Sequence, residues 1–261
     1  MRDFTLLAYQ QLLETLKAKQ LPFYTFEEVC ENKPSVAYVV LRHDVDDKPK
    51  NSLRVAQLEA ELGIKATYYF RIVEQSNQPE IIKAIVALGH EIGYHYEDLS
   101  LCKGNTEKAF QFFQKNLGYF RTFYPVRTIC MHGSPTSRFD NRELWKQYSY
   151  RELGIIGEPY LDFLEKEAVI YFTDTGRCWD GEKFNRRDKI QKTETNFVMD
   201  KKIHSTADLT DWIKQTDIQQ PIMITTHPQR WTNFLYQWGK EYCLQSAKNV
   251  VKRFLIACRK E

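Results

Sequence analysis

Short apolar runs rich in β-branched residues alternate along this chain with longer segments of helical periodicity, and this alternation constrains the fold more than any other feature. Parallel strands cannot be joined by tight turns and need a crossover connection, which is usually a helix. The sequence therefore predicts an α/β fold in which a parallel sheet carries helices outside, either as a barrel or as an open doubly wound sheet. The predicted strands are residues 35–41, 66–72, 91–95, 126–131, 168–172 and 222–226, and the predicted helices are residues 4–19, 26–31, 52–62, 79–88, 106–120, 207–215 and 234 to the end.

The chain length fits one domain. With 261 residues it lies in the size range in which α/β folds run as a single unit, and the sequence contains no internal repeat and no Pro-, Gly- or Ser-rich linker. We expect residues 1–261 to form one domain. Residues 1–34 are expected to form an N-terminal helical extension, and residues 36–231 form the core that carries the motifs.

The net charge, the lengths of the apolar runs and the cysteine spacing argue against several classes of protein. The 37 basic and 34 acidic side chains leave a net charge of only +3, which gives no reason to expect a nucleic-acid partner. No apolar run approaches the length of a membrane span and the first residues do not resemble an export signal, so we expect no membrane span and a cytoplasmic location. The six cysteines lack the spacing of a thiolate zinc site or a disulfide framework and are expected to be free.

Titratable residues follow the predicted strands at the points where the strands end. Catalytic groups of parallel α/β proteins gather at these carboxyl ends, and a divalent ion accepts carboxylate and imidazole ligands together. Asp44 and Asp46 are therefore candidates for a base and a metal ligand, although a solvated acidic turn that caps the next helix is an alternative. Five of the six histidines lie at or beside strand ends: His43, His90, His95, His132 and His227.

Four segments in a fixed order carry a family resemblance. They read Leu41-Arg42-His43-Asp44-Val45-Asp46, Gly63-Ile64-Lys65-Ala66-Thr67-Tyr68-Tyr69, Gly89-His90-Glu91-Ile92-Gly93-Tyr94-His95 and Ile224-Thr225-Thr226-His227. With these motifs the chain resembles the polysaccharide deacetylase family, also called the NodB-homology domain, from about Val39 to Pro228. The resemblance implies a distorted, incomplete (β/α) barrel of about seven parallel strands. It also implies a metal-dependent hydrolase that removes an acyl group, such as acetyl, from an N-acylated amino sugar.

The resemblance assigns roles to single residues. Asp44 matches the family's catalytic base and His227 its general acid, and His95 matches a metal ligand. In the implied mechanism, water activated by the metal attacks the amide carbon. The family's metal-binding aspartate falls on Val45, so we expect Asp46 to replace it, which marks this chain as a divergent member with a His-Asp-Val-Asp motif.

A second metal ligand of the family is also missing. The family's second metal histidine falls on Leu99. A three-ligand site needs one more group than the first two ligands supply. We expect His132 to fill the position, with His43 or Glu97 as alternatives.

The segment around His132 departs from the family again. An arginine that commonly orients the base is absent from Met131-His132-Gly133-Ser134-Pro135, and Arg42 or Arg177 is expected to replace it. Asp174 is a candidate partner that would favour the protonated form of His227, with helix capping as the alternative. The aromatic candidates are expected to pack against a sugar ring, for which ordinary core packing is the alternative. The residues expected to bind substrate are Arg42, Tyr96, Asp174, Trp179 and Trp231.

The sequence predicts the identities of the metal and of the substrate less precisely than it predicts the residues of the site. A site of histidine and aspartate suits zinc best, with nickel, cobalt, manganese or iron as alternatives. The expected partner is a small molecule or oligosaccharide that carries an acylated amino sugar. A cytoplasmic location favours a polysaccharide precursor linked to a nucleotide or a lipid.

Other functions stay open at this stage. The chain can be a degenerate member that binds sugar without catalysis, or a metal-dependent hydrolase of another non-peptide C–N bond. A glycoside hydrolase with Asp44 and Asp46 as its carboxylate pair is disfavoured, because such pairs stand at least about 5 Å apart and usually come from different strands. Residues 175–202 are expected to form a long loop. The last helix is expected to cover the barrel, rather than to form a dimer, with an apolar stripe of Tyr242, Leu244, Val250, Val251, Phe254 and Leu255.

Overall fold

The structure is a computed structural model that describes residues 2–134, 137–180 and 203–257, the last six of these as helix backbone only. Three of the sequence predictions fall partly outside the described residues. These are the motif position Pro135, residues 181–202 of the predicted loop, and the side chains of Phe254 and Leu255.

The helices and strands alternate as the sequence predicts. The strands are β1 (Phe23–Tyr24), β2 (Val39–Val45), β3 (Thr67–Phe70), β4 (Glu91–Tyr96), β5 (Ile129–Met131), β6 (Ile170–Thr173) and β7 (Ile222–Thr226). The helices are α1 (Leu6–Ala18), α2 (Phe26–Asn32), α3 (Pro49–Glu61), α4 (Pro79–Ala87), α5 (Asp98–Leu101), α6 (Thr106–Phe120), α7 (Thr206–Gln215) and α8 (Leu235–Ala257). Short 3₁₀ or π turns cover Asn141–Lys146, Tyr150–Leu153, Pro159–Leu164 and Pro228–Arg230.

The seven strands form one curled, parallel half-barrel. Its strands run in the order β5-β4-β3-β2-β7-β6, and β1 pairs with the first residues of β2. β5 and β6 are the two ends of this path, so the barrel is incomplete on that side within the described part of the chain. The prediction of an α/β fold with a distorted, incomplete barrel of about seven parallel strands is confirmed.

The N-terminal segment is part of this architecture. β1 extends the sheet because Phe23 and Tyr24 pair with Val39 and Val40. α1 packs against α7 and α3, and its fully buried side chains include Leu12 and Leu16. Residues 1–34 thus contribute a strand that the sequence did not predict, together with the two predicted helices.

β2 ends four residues later than predicted, and this shift sets the position of the site. Arg42, His43 and Asp44 lie inside the strand, paired in register with β3, and all three are buried. A strand can hold such residues only where each polar group has a partner. The Arg42 guanidinium binds Asp44, and His43 binds Glu59 of α3. Asp46 is then the first acidic residue beyond the strand end.

The last helix does not cover the barrel in the way that the sequence predicted. The prediction is wrong for the described side chains of the stripe, because Tyr242, Leu244, Val250 and Val251 are 47–66% exposed. α8 instead contacts the body through a different face, which includes the buried Glu241 and Gln245. None of the described helices is both long enough and apolar enough to cross a membrane.

Candidate metal centre and active site

Three side chains from the ends of three strands converge at the carboxyl edge of the sheet. Asp46 follows β2, His95 lies near the end of β4, and His132 directly follows β5. The Nε2 atom of His95 is 3.6 Å from Oδ1 of Asp46, and the Nε2 atom of His132 is 3.5 Å from the same oxygen. Their ligand atoms form a group of the kind that holds a metal ion.

Hydrogen bonds orient both imidazole rings toward Asp46. Nδ1 of His95 donates to the carbonyl oxygen of Cys130 at 3.0 Å, and Nδ1 of His132 donates to Oε2 of Glu97 at 2.8 Å. Since a carbonyl or carboxylate oxygen only accepts, the proton of each neutral ring sits on Nδ1 and the lone pair on Nε2. Two Nε2 lone pairs therefore face one carboxylate oxygen, and a backbone carbonyl and a carboxylate orient them, as is typical around bound metals.

The oxygen at the centre of this group has no hydrogen-bond partner. Oδ1 of Asp46 is buried, and neither nearby Nε2 atom lies within hydrogen-bonding distance. Zinc binds nitrogen and oxygen at about 2.0–2.1 Å, so two ligands of a tetrahedral ion stand about 3.4 Å apart. The observed 3.5 and 3.6 Å match that spacing. The donor set and its geometry therefore fit a divalent ion.

The protonation states of two ligands suit metal binding. Burial lowers the pKa of His95 to about 4, so its imidazole is neutral near pH 7. Burial alone would raise the pKa of Asp46, but His132, His227 and His95 act against it and lower that pKa. Burial likewise opposes the charged form of His132, whereas the carboxylates of Asp46 and Glu97 raise its pKa. A metal ion at this position would have to displace a proton from His132 wherever that ring is charged.

Asp44 lies beside the three ligands but is held by a different partner. Its oxygens accept from Nε and Nη2 of Arg42 at 2.9 and 2.7 Å, and Oδ2 is 3.8 Å from Nε2 of His95. Burial would raise the pKa of Asp44, but Arg42, with His95 and His227, holds it well below its ordinary value. Asp44 is therefore a carboxylate at any working pH.

A second group of ligand atoms overlaps the first. Asp44, His95 and the thiol of Cys130 also lie within metal-binding reach of one another. Both oxygens of Asp44 already bind the Arg42 guanidinium, whereas Oδ1 of Asp46 is unpaired. The set that contains Asp46 is consequently the better metal centre.

His227 approaches the site from the opposite side. It follows β7, and its Nε2 atom lies 3.9 Å from Oδ2 of Asp46. Its Nδ1 atom contacts Oδ1 of Asp174 at 2.6 Å, and Asp174 is fully buried. The carboxylate of Asp174 also accepts from Nη1 of Arg230 at 2.6 Å and from the indole of Trp231 at 2.8 Å. His227 is thereby fixed with one ring nitrogen turned toward the site.

Asp174 keeps its charge in this buried position. Burial would raise the pKa of Asp174, but Arg230 and His227 lower it. Arg230 was not predicted from the sequence, although it lies only three residues after His227 and binds the same partner.

A further network supports His132, and sequence reasoning found only part of it. Oε1 of Glu97 binds the guanidinium of Arg71 at 2.6 and 2.8 Å, while Oε2 accepts from Ser134 at 3.1 Å as well as from His132. Glu97 was expected only as an alternative ligand, and Arg71 was not considered. Glu97 lies two residues after His95, so both side chains project from the same side of the chain near the end of β4.

The alternative ligands are engaged elsewhere. The ring nitrogens of His43 bind Oγ1 of Thr226 and Oε1 of Glu59, each at 2.7 Å, and His43 is fully buried. Arg177, the alternative partner for Asp44, lies instead over the rings of Phe4 and Trp238.

The aromatic candidates for sugar binding are buried. Tyr96 is 0% exposed and packs edge-on against Phe113 and Trp145. Trp179 and Trp231 are 6% and 1% exposed, and their indole rings lie 6.2 Å apart. In the structure these side chains contact the core, and Trp231 also contacts the partner of His227. Their contact with a sugar stays a prediction.

No protein-family model and no curated protein sequence matches this chain. Its neighbours among solved structures are CE4 carbohydrate esterases. A CE4 esterase from Streptococcus mutans has a TM-score of 0.45 at 13% identity, over 91% of this chain and 89% of that one. A family 4 carbohydrate esterase from Bacillus anthracis has a TM-score of 0.42 at 11% identity, over 90% and 84%. A CE4 family pseudoenzyme from the same organism has a TM-score of 0.42 at 14% identity, over 84% and 62%. Similarity this low assigns no activity to this chain.

Proposed function

We propose that this protein is a metal-dependent hydrolase that removes an acyl group from an N-acylated amino sugar. The observation that carries the metal dependence is the unpaired, buried oxygen of Asp46, which faces the Nε2 atoms of His95 and His132. An unpaired buried carboxylate oxygen is costly, and a cation between these three atoms would remove that cost.

The proposed ligands are Asp46, His95 and His132, and zinc is the ion that best suits them. When bound there, the ion supplies Lewis-acid chemistry, which polarises the amide carbonyl and eases deprotonation of water. Asp46 is the most exposed of the three side chains at 22%, so water and substrate would reach a bound ion from its side.

Asp44 is the proposed general base. It remains ionised because Arg42 donates two hydrogen bonds to it, so it is ready to accept a proton from the attacking water. Arg42 is fully buried and also contacts the hydroxyl of Tyr160, which fixes the direction of the carboxylate.

His227 is the proposed general acid. Water adds to the carbonyl carbon, the C–N bond breaks, and the departing amine needs a proton that Nε2 of His227 is placed to give. Asp174 holds the other ring nitrogen, so Nε2 stays directed at the site. The products are a carboxylic acid and the free amino sugar.

The proposed substrate is a polysaccharide precursor, small or oligomeric, and we propose a cytoplasmic location.

Metal content tests the proposal first. We expect near-stoichiometric metal in the purified protein after a mild chelator wash, and loss of that metal in Asp46→Ala, His95→Ala and His132→Ala. The matched control is Asp211→Ala, because Asp211 is an exposed aspartate of α7 outside the described groups that could hold a metal ion. Absence of metal from the wild type, even after incubation with zinc, would contradict the hydrolase and favour a sugar-binding protein without catalysis.

Activity measurements then test the two proposed catalytic roles, those of the general base and of the general acid. Asp44→Asn and His227→Ala are expected to keep their metal and to lose acyl release from N-acetylated amino sugars. Hydrolysis of small cyclic amides, without hydrolysis of acylated sugars, would instead identify a hydrolase of another C–N bond.

A further inference from the structure

Within residues 235–251, the last helix leaves most of its large apolar side chains exposed and places mainly polar side chains against the protein. The residues that face the body recur at spacings of three and four along one side of α8: Trp238, Glu241, Gln245 and Asn249. Glu241 binds Lys48 at 2.6 Å, and Asn249 donates to the carbonyl oxygen of Gly176 at 2.9 Å. A surface helix ordinarily buries its apolar side, so this arrangement is inverted.

The exposed side of this region is unusually apolar. We define the outer face by six large exposed apolar residues: Phe234, Leu235, Tyr236, Leu244, Val250 and Val251. Three of them are consecutive and are 58%, 69% and 84% exposed. Single exposed apolar residues are normal, but contiguous ones at a helix start mark a surface that something else covers.

Basic groups surround the outer face. Lys240 and Lys248 are exposed on α8, and within residues 233–251 the only acidic side chain is Glu241, which is buried against Lys48. The guanidinium of Arg54 lies 4.8 Å from the ring centre of Phe234.

Two grooves extend this basic border along α3. A groove of about 300 Å³ is lined by Lys48, Lys50 and Arg54 together with Phe234. A neighbouring groove of about 330 Å³ is lined by Arg54 and by the acidic Glu61. Because Lys48 is paired with Glu241, Lys50 and Arg54 supply the positive charge of these grooves.

We propose that the outer face binds the surface of an anionic lipid bilayer. A helix with an apolar side and basic flanks inserts its apolar side chains at the boundary of headgroups and acyl chains, while the cations bind lipid phosphates. A second protein of ordinary surface charge would not require this basic border.

Vesicle flotation tests the proposal without any enzymatic readout, so its failure leaves the hydrolase untouched. The wild type is expected to float with vesicles of phosphatidylcholine mixed with phosphatidylglycerol, less so at high salt, and little with phosphatidylcholine alone. The triple variant Tyr236→Ser, Leu244→Ser and Val251→Ser should lose about tenfold or more in partitioning, because three buried apolar contacts disappear. Lys240→Glu with Lys248→Glu should also weaken binding.

The matched control changes three exposed apolar residues elsewhere. Val36→Ser, Leu101→Ser and Phe112→Ser alter side chains that are 60%, 45% and 42% exposed, and we expect their binding to equal that of the wild type. Thermal unfolding would verify that both triple variants are folded. Equal flotation of the two triple variants, or no flotation of the wild type, would overturn the proposal. Sedimentation velocity that shows a wild-type dimer without lipid binding, and a monomer for the outer-face variant, would assign the face to a second copy instead.

Discussion

At the scale of single residues, the site is defined by which polar atoms have partners. Each imidazole that faces Asp46 has its Nδ1 atom bound, and the base and the acid are held by Arg42 and Asp174 respectively. Oδ1 of Asp46 is the one carboxylate oxygen among these groups that is buried without a hydrogen bond. Because burying an unpaired carboxylate oxygen destabilises a fold, its position beside two imidazole rings supports the proposed cation.

One prediction concerns Asp174, the hydrogen-bond partner of the proposed general acid His227. Asp174→Asn would replace a carboxylate that accepts from His227, Arg230 and Trp231 with an amide that cannot accept from all of them. We expect kcat for acyl release to fall by about 100-fold or more, because the imidazole ring loses the carboxylate that orients it. Metal content should stay at the wild-type level, and a parallel loss of metal would contradict a role confined to His227.

A second prediction concerns Glu97, the hydrogen-bond partner of the proposed ligand His132. Glu97→Gln is expected to weaken metal binding by about 10- to 100-fold, since the carboxylate that orients His132 and binds Arg71 would be neutral. Competition with a chromophoric chelator would measure the affinity. Glu143→Gln is the control, because Glu143 is a surface glutamate paired only with Lys146. Unchanged affinity in Glu97→Gln would mean that His132 is oriented by the backbone alone.

At the scale of elements, neighbouring parallel strands bring the ligands together. β2, β3, β4 and β5 are adjacent in the sheet, so residues at their carboxyl ends lie at one edge although they are far apart in sequence. β4 carries His95, and its approach to β3 is close at Gly93. A Cβ atom on Gly93 would lie 2.2 Å from Cε1 of Tyr69 and 3.0 Å from the carbonyl oxygen of Thr128.

Gly93→Ala therefore tests the packing between these strands. Tyr69 cannot move aside freely, since its hydroxyl donates to Thr128 at 3.0 Å and the ring is fully buried. We expect a loss of about 1–3 kcal/mol in the free energy of unfolding, measured in urea. Gly118→Ala is the control: its Cβ meets nothing within 4 Å in the interior of α6, so it should stabilise by up to about 1 kcal/mol. Equal stability of the two variants would refute the close approach.

At the scale of the whole molecule, stability should depend on buried carboxyl groups away from the site. Burial raises the pKa of Glu91 from 4.5 to about 7. The folded chain therefore keeps this proton between those two values, whereas the unfolded chain releases it. Its contribution to stability is complete below about pH 4.5 and is lost as the pH rises through 7.

The variant Glu91→Gln isolates this effect, because glutamine stays neutral. The amide oxygen can still accept from Thr67 and from the backbone of Glu27. Relative to the wild type, the variant should gain up to about 3 kcal/mol in the free energy of unfolding between pH 5 and pH 8. Urea denaturation at both pH values measures the gain. A difference that does not change with pH would show that Glu91 is charged in the folded protein.

The sequence predicted much of the fold because strand and helix periodicities are local. The half-barrel and its order of helices and strands were found from these periodicities and from the motifs. The end of β2 was misplaced, since a run of Arg42, His43 and Asp44 looks like a loop until its buried partners are known. The apolar stripe on α8 was wrongly predicted to cover the barrel. Periodicity shows that a helix has an apolar side, but not which way that side faces.

The sequence by itself determined the parallel α/β architecture and the strand ends at which histidines and aspartates stand. Only the tertiary structure decided that Nε2 of His132, rather than His43, faces Asp46, and that Arg42 rather than Arg177 binds Asp44. The physical reason is that a periodicity depends on near neighbours in the chain, whereas a ligand set depends on hydrogen bonds between side chains brought together by the curl of the sheet.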